Sequence, residues 1–95
     1  MNDKELLELA AKAADVPDAN IEFVWNPLTQ DGDALRLAVK LGLCMTIDLE
    51  LGGETEVWEY GAAGAYEVEP NNGDPYAATR RAIVRAAAEI GKEMK

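Results

Sequence analysis

The sequence predicts an α+β domain in which three helices pack with an antiparallel meander of three to four strands. Three observations lead there. Residues 43–51 alternate without a break, with Leu43, Met45, Ile47, Leu49 and Leu51 on one side and Cys44, Thr46, Asp48 and Glu50 on the other. That is the period of a strand with one buried face. Gly52-Gly53 follows at once and supplies the positive φ values of a two-residue hairpin turn. Segments 31–41 and 75–93 carry helix-spaced apolar residues between start and stop signals.

Taken in order, residues 3–14 form the first helix. Asn2 or Asp3 can cap it, Asp3 and Glu5 suit its positive end, and Pro17 lies beyond its stop. Residues 21–25 ("IEFVW") alternate weakly and predict a short fourth strand at the sheet edge. Asp31 is the expected cap of the second helix, and Gly42 is its left-handed stop. Leu35, Ala38, Val39 and Leu41 are expected to face inward, while Arg36 and Lys40 face water. A two-residue turn at Gly52-Gly53 sets Leu51 opposite Glu54, Leu49 opposite Glu56, Ile47 opposite Trp58 and Met45 opposite Tyr60. "GAAG" at 61–64 then turns the chain into a third strand over 65–69, and "PNNGD" at 70–74 is a loop. Asp74-Pro75 opens the last helix, with Tyr76, Ile83, Ala87 and Ile90 along one stripe. The expected core is Leu6, Leu35, Val39, Met45, Ile47, Trp58, Tyr60, Val68, Ile83 and Ile90.

At 95 residues the chain suits a single domain, 1–95, with one modest core. Sixteen alanines make up a large part of its 48% apolar content, so close helix packing must carry part of the load. The lone Cys44 excludes an intrachain disulfide and suits a reducing compartment. The charged opening "MNDKELLELAAKAAD" reads as a helix rather than a secretory leader. No apolar run approaches the roughly 20 residues that span a bilayer, so a soluble protein is expected.

Net charge is −9, unevenly spread: residues 1–74 hold 16 acids and 4 bases, residues 75–95 hold 2 acids and 5 bases. Most of such a surface repels nucleic acid. A nucleic-acid module therefore stands as the alternative reading, through the basic cluster Arg80, Arg81 and Arg85. Pairing of those arginines with neighbouring acids is the simpler account. Asp48, Glu50, Glu54, Glu56, Glu59, Glu67 and Glu69 crowd the sheet without a base among them. They make either a solvated face or an acidic docking surface for a basic partner.

Chemistry is poorly provided for. With no histidine and one cysteine, a Cys-His nucleophile or a Cys/His metal site cannot be built within one chain. "DGD" at 31–33 and "NNGD" at 71–74 resemble fragments of calcium loops but lack the distal glutamate, and both serve better as helix starts. "GAAG" lacks the lysine and following helix of a phosphate loop. The sequence thus predicts no catalytic residue, no metal, no cofactor and no enzyme. A small enzyme is the weakest of the three function classes.

Three stretches together, "DKELLELAAKAA", "WNPLTQDGDALRLAVKL" and "DPYAATRRAIVRAAAEIG", resemble small uncharacterised proteins of bacteriophages and prophages known as the phage ABA-sandwich domain. The likeness covers most of the chain. With an accessory protein acting by contact with a host or phage protein as the favoured function class, the likeness implies an α/β/α sandwich and a bacterial cytoplasm during phage growth or lysogeny. It assigns no catalytic residue and leaves homo-oligomerisation open. The link between the first helix and Trp25 is shorter here than is usual in that family. The candidate interaction residues are Trp25, Asp48, Glu50, Glu59, Arg80, Arg81 and Arg85. Trp25-Asn26-Pro27-Leu28 is expected to be mainly structural: proline holds Asn26 extended, Asn26 bonds amides ahead of it, and Trp25 anchors the corner. The rival reading makes Trp25 an exposed contact residue.

Overall fold

A computed structural model describes residues 2–61 and 64–94. Its elements are α1 (Asp3–Ala14), a short 3-10 turn (Asp18–Asn20), α2 (Asp31–Leu41), β1 (Cys44–Ile47), β2 (Glu54–Trp58), β3 (Tyr66–Pro70) and α3 (Pro75–Glu93). The fold is α+β as expected, with an antiparallel sheet in the order β1-β2-β3. Segment 21–25 is not a fourth strand. Ile21 and Trp25 form one isolated bridge around a tight turn, in which Glu22 takes a positive φ and donates to the Trp25 carbonyl at 2.8 Å.

Local signals place the helix ends well. The Asn2 side chain accepts from the Glu5 amide at 2.8 Å, and Asp74 accepts from Ala77 at 3.1 Å with Pro75 in the first turn. Gly42 ends α2 in the left-handed region, its amide reaching back to Ala38 and Val39. Asp31, by contrast, is not a cap. Gln30 holds that position without a side-chain bond, and Asp33 takes over the task of holding the corner. Its carboxylate accepts from the Asn26 amide at 2.9 Å and pairs with Arg36 at 2.8 Å.

α3 is the centre of the molecule. α1 packs along one side of it in the same direction, α2 packs against it, and β2 and β3 lie across its other face. The close α1–α3 approach depends on small residues: Ala10, Ala11, Ala14, Ala82, Ala86, Ala87 and Ala88 are all buried. At Gly91 a Cβ would fall 2.0 Å from the Leu9 carbonyl oxygen. Helices cover one face of the sheet rather than both, so the α/β/α sandwich implied by the resemblance is replaced by a sheet, α3 and α1 in succession.

The hairpin register departs from expectation. Met45 pairs with Val57 and Ile47 with Thr55, three residues short of the anticipated Tyr60 and Trp58. An odd slip exchanges the two faces of β2. Val57 and Thr55 are fully buried under α3, whereas Trp58 and Val68 lie half-buried on the opposite, helix-free face and Tyr60 is exposed. The strand stops at Ile47 because the chain turns there: the Asp48 carboxylate accepts from the Glu50 amide at 3.0 Å. Asn71, buried, then donates to the Asp48 carbonyl at 2.6 Å and accepts from the Thr55 hydroxyl at 2.9 Å. Thr79 of α3 completes the chain by donating to Thr55 at 3.1 Å, since the Thr55 proton is already committed. A five-residue loop, 49–53, replaces the two-residue turn. Beyond β2, Ala62 and Ala63 of the expected "GAAG" turn lie outside the described residues.

Of the expected core, Leu6 and Ile83 are buried, and Met45 and Ile90 pack partly against it. Leu35, Val39 and Ile47 are exposed instead. α2 turns Asp33, Ala34, Leu37 and Ala38 inward, because its apolar arc is wider than the stripe that α3 covers.

Candidate interaction groove

The apolar surface that α2 and β1 leave uncovered collects in one place. α3 lies over β2 and β3 but not over β1. Met45 and Ile47 point to the same side of the sheet as Val57 and Thr55, so on β1 they form an open floor. Ala34 and Leu35 of α2 make one wall, and Tyr76, Thr79 and Ile83 of α3 make the other. Leu49, carried out by the 49–53 loop, closes the far end. The groove encloses about 520 Å³. Its large apolar side chains stay in contact with water: Leu35 is 62% exposed, Ile47 47%, Leu49 75% and Tyr76 71%.

One ion pair marks the rim. Arg80 binds Asp31 at 2.6 Å while its Nε donates to the Leu28 carbonyl at 2.9 Å. The other two arginines of the cluster point elsewhere. Arg81 pairs with Asp3 at 3.0 Å, tying α3 to the start of α1. Arg85 reaches across to β3, pairing with Glu67 at 2.7 Å and with Glu69. The three arginines therefore serve three different elements, as the pairing account expects, and do not form one basic face.

The Arg85 site gathers carboxylates. Glu67 is only 11% exposed at its side chain and stands beside Glu89, which in turn accepts from the Tyr66 amide at 3.0 Å. Burial, a hydrogen bond with Glu89 and the charges of Glu89 and Glu69 outweigh the pull of Arg85 and push Glu67 up to about 7. Among the described residues no group of three or more His, Cys, Asp or Glu is arranged to hold a metal ion.

The remaining candidate residues are scattered. Trp25 packs partly against the core beside the buried Pro27, and Asn26 accepts from the Leu28 amide at 3.1 Å, as the structural reading of this segment expects. Phe23 and Val24, not singled out from sequence, project at the tip of the adjoining turn. Asp48 and Glu50 sit exposed in the 48–53 loop, next to Leu49 of the groove. Glu59 is half-buried beyond β2, away from both. On the open sheet face Tyr66 donates its hydroxyl to Glu56, and that bond raises the phenol above its usual pKa. Cys44 lies half-buried on the same face opposite Trp58, as alternation predicts.

The chain matches no family model, and comparison with curated proteins and with solved structures found no match. No helix among the described residues is long and apolar enough to cross a membrane. Sequence reasoning missed the groove by placing Leu35 and Ile47 in the core and Leu49 on the inner face of a longer strand. The available signal was an apolar arc on α2 too wide for a helix of its size to bury.

Proposed function

We propose that the protein acts by protein–protein contact, with the groove between α2, β1 and α3 as its docking surface. The observation that carries this reading is the convergence of Leu35, Ile47, Leu49 and Tyr76, all exposed, around one groove. Scattered apolar side chains are ordinary on a surface, but a contiguous patch lining a concave site marks an interaction surface. Two features weigh against the alternatives. Arg80, Arg81 and Arg85 are each engaged by a carboxylate, which leaves the nucleic-acid reading without a free basic face. The chain has no histidine, and its lone cysteine faces away from the groove, which gives the enzyme reading no nucleophile–base pair there. A phage or prophage origin, with a host or phage protein as partner in a bacterial cytoplasm, belongs to this proposal and rests on the sequence resemblance alone.

The test compares retention of partner proteins from the producing cell by the wild type and by Leu35→Glu. Leu35 is already exposed, so the substitution should alter stability by no more than about 0.5 kcal/mol. Bands retained by the wild type and by Tyr66→Ser on the opposite sheet face, but lost from Leu35→Glu, support the reading. Equal retention by all three proteins overturns it.

A further inference from the structure

We propose that the occupant of the groove is an amphipathic helix with lysine or arginine along its flanks, lying over β1 beside α3. This rests on the docking reading above and deepens it.

The geometry argues for a helix. α3 covers β2 and β3, which leaves the β1 third of that face open. α2 does not fill the space; it stands at the far side as a wall, presenting Leu35 toward Met45 and Ile47. The groove therefore has an apolar floor and two apolar walls. An added β-strand would bind in the plane of the sheet at the β1 edge and leave Leu35, Ile83 and Tyr76 uncovered. A helix covers all three by placing residues at i, i+3, i+4 and i+7 into the slot.

The charge argues for a basic one. Among the described residues that line the groove the one cation is Arg80, at the rim, and Asp31 neutralises it. Asp48 and Glu50 stand exposed on either side of Leu49 at the far end. The chain as a whole carries −9. A segment with cations beside its apolar stripe gains from that field, and an acidic one is repelled. The same field disfavours a second copy of this chain as the occupant.

The experiment uses the full-length protein and a labelled synthetic peptide of about 14 residues, the length at which a helix begins to hold in water. The peptide has leucine at i, i+3, i+4 and i+7 and lysine at the flanking positions. Two controls replace lysine by glutamate, or rearrange the same residues to alternate with a period of two. Fluorescence anisotropy should show the lysine helix binding at least about tenfold more tightly than either control, and more weakly as salt is raised. Leu35→Glu should weaken it about tenfold despite adding a negative charge, because the apolar wall is lost. Binding of the glutamate helix with equal affinity overturns the basic partner, and tighter binding of the alternating peptide overturns the helix. Sedimentation of the protein alone as a dimer that Leu35→Glu dissolves makes a second copy the occupant and overturns the proposal. If no peptide binds while partner retention still depends on Leu35, this proposal fails and the docking reading survives. If retention ignores Leu35 as well, both fail.

Discussion

Asn71 carries more structure than any polar residue that sequence inspection singled out. It is buried, and its amide group joins the Asp48 carbonyl at the end of β1 to Thr55 in β2, which Thr79 of α3 then supports. Its backbone amide also donates to the Gly53 carbonyl at 3.0 Å, so one residue fixes the whole 48–53 loop. Asn71→Ala strips two buried partners at once, and each orphaned group costs about 1–3 kcal/mol. Urea unfolding should show a loss of about 2–4 kcal/mol, against less than about 0.5 for Lys92→Ala at an exposed helical position; equal losses would contradict the network. Glu67 makes a different prediction, about pH. Its folded pKa of about 7 lies above its ordinary value of 4.5. Between those values the folded protein holds a proton that the unfolded chain releases, so this group's contribution to stability falls as pH rises from 4.5 to 7 and is lowest above 7. The site is open to water at one side, which limits the effect to about 1 kcal/mol. Glu67→Gln, a neutral mimic of the protonated acid, should flatten the decline between pH 5 and pH 8. Parallel pH profiles for the two proteins would contradict the assignment.

Among the elements, the α1–α3 pair sets the tightest constraint. Glycine inside a helix costs about 1 kcal/mol relative to alanine, so Gly91→Ala would stabilise α3 if space allowed. A Cβ at 2.0 Å from the Leu9 carbonyl oxygen leaves no space, and forcing the helices apart costs about 1–3 kcal/mol beyond the propensity gain. A lowered thermal midpoint for Gly91→Ala is the expected result, and a raised one would show that the helices are not in backbone contact. This packing was partly legible, since alanines on two amphipathic stretches announce close helices. Helix boundaries were legible because Asn2, Gly42 and Asp74-Pro75 act locally, on amides within a few residues. The hairpin register was not. Gly52-Gly53 is a strong local turn signal, but Asn71, which lies 23 residues from Asp48 in sequence, captures that carbonyl and ends the strand early. The odd slip that results moved Trp58 and Tyr60 out of the core and carried Leu49 to the groove. Leu35 and Val39 were misplaced for another reason. Periodicity shows how wide the apolar arc of α2 is, and only the position of α3 decides which part of it is buried.

The molecule as a whole is organised around α3, with helices on one side of the sheet and an uncovered groove above β1. Asp48 and Glu50 stand exposed at one end of that groove, and the three arginines of α3 are spent on internal pairing with Asp31, Asp3, Glu67 and Glu69. Of the seven acids that sequence reasoning assigned to a docking sheet, Glu67 and Glu69 turn instead toward Arg85, and Leu35 and Ile47, assigned to the core, help line the exposed site. The groove and the open sheet face thus make competing claims to be the contact surface, and they lie on opposite sides of β1 and β2. Site-specific photo-cross-linking separates them most directly. A photoreactive amino acid placed at Leu35, or alternatively at Tyr66, is activated in the cell that makes the protein. The account predicts a discrete cross-linked partner from position 35 and none from position 66; a partner captured from position 66 alone would contradict it.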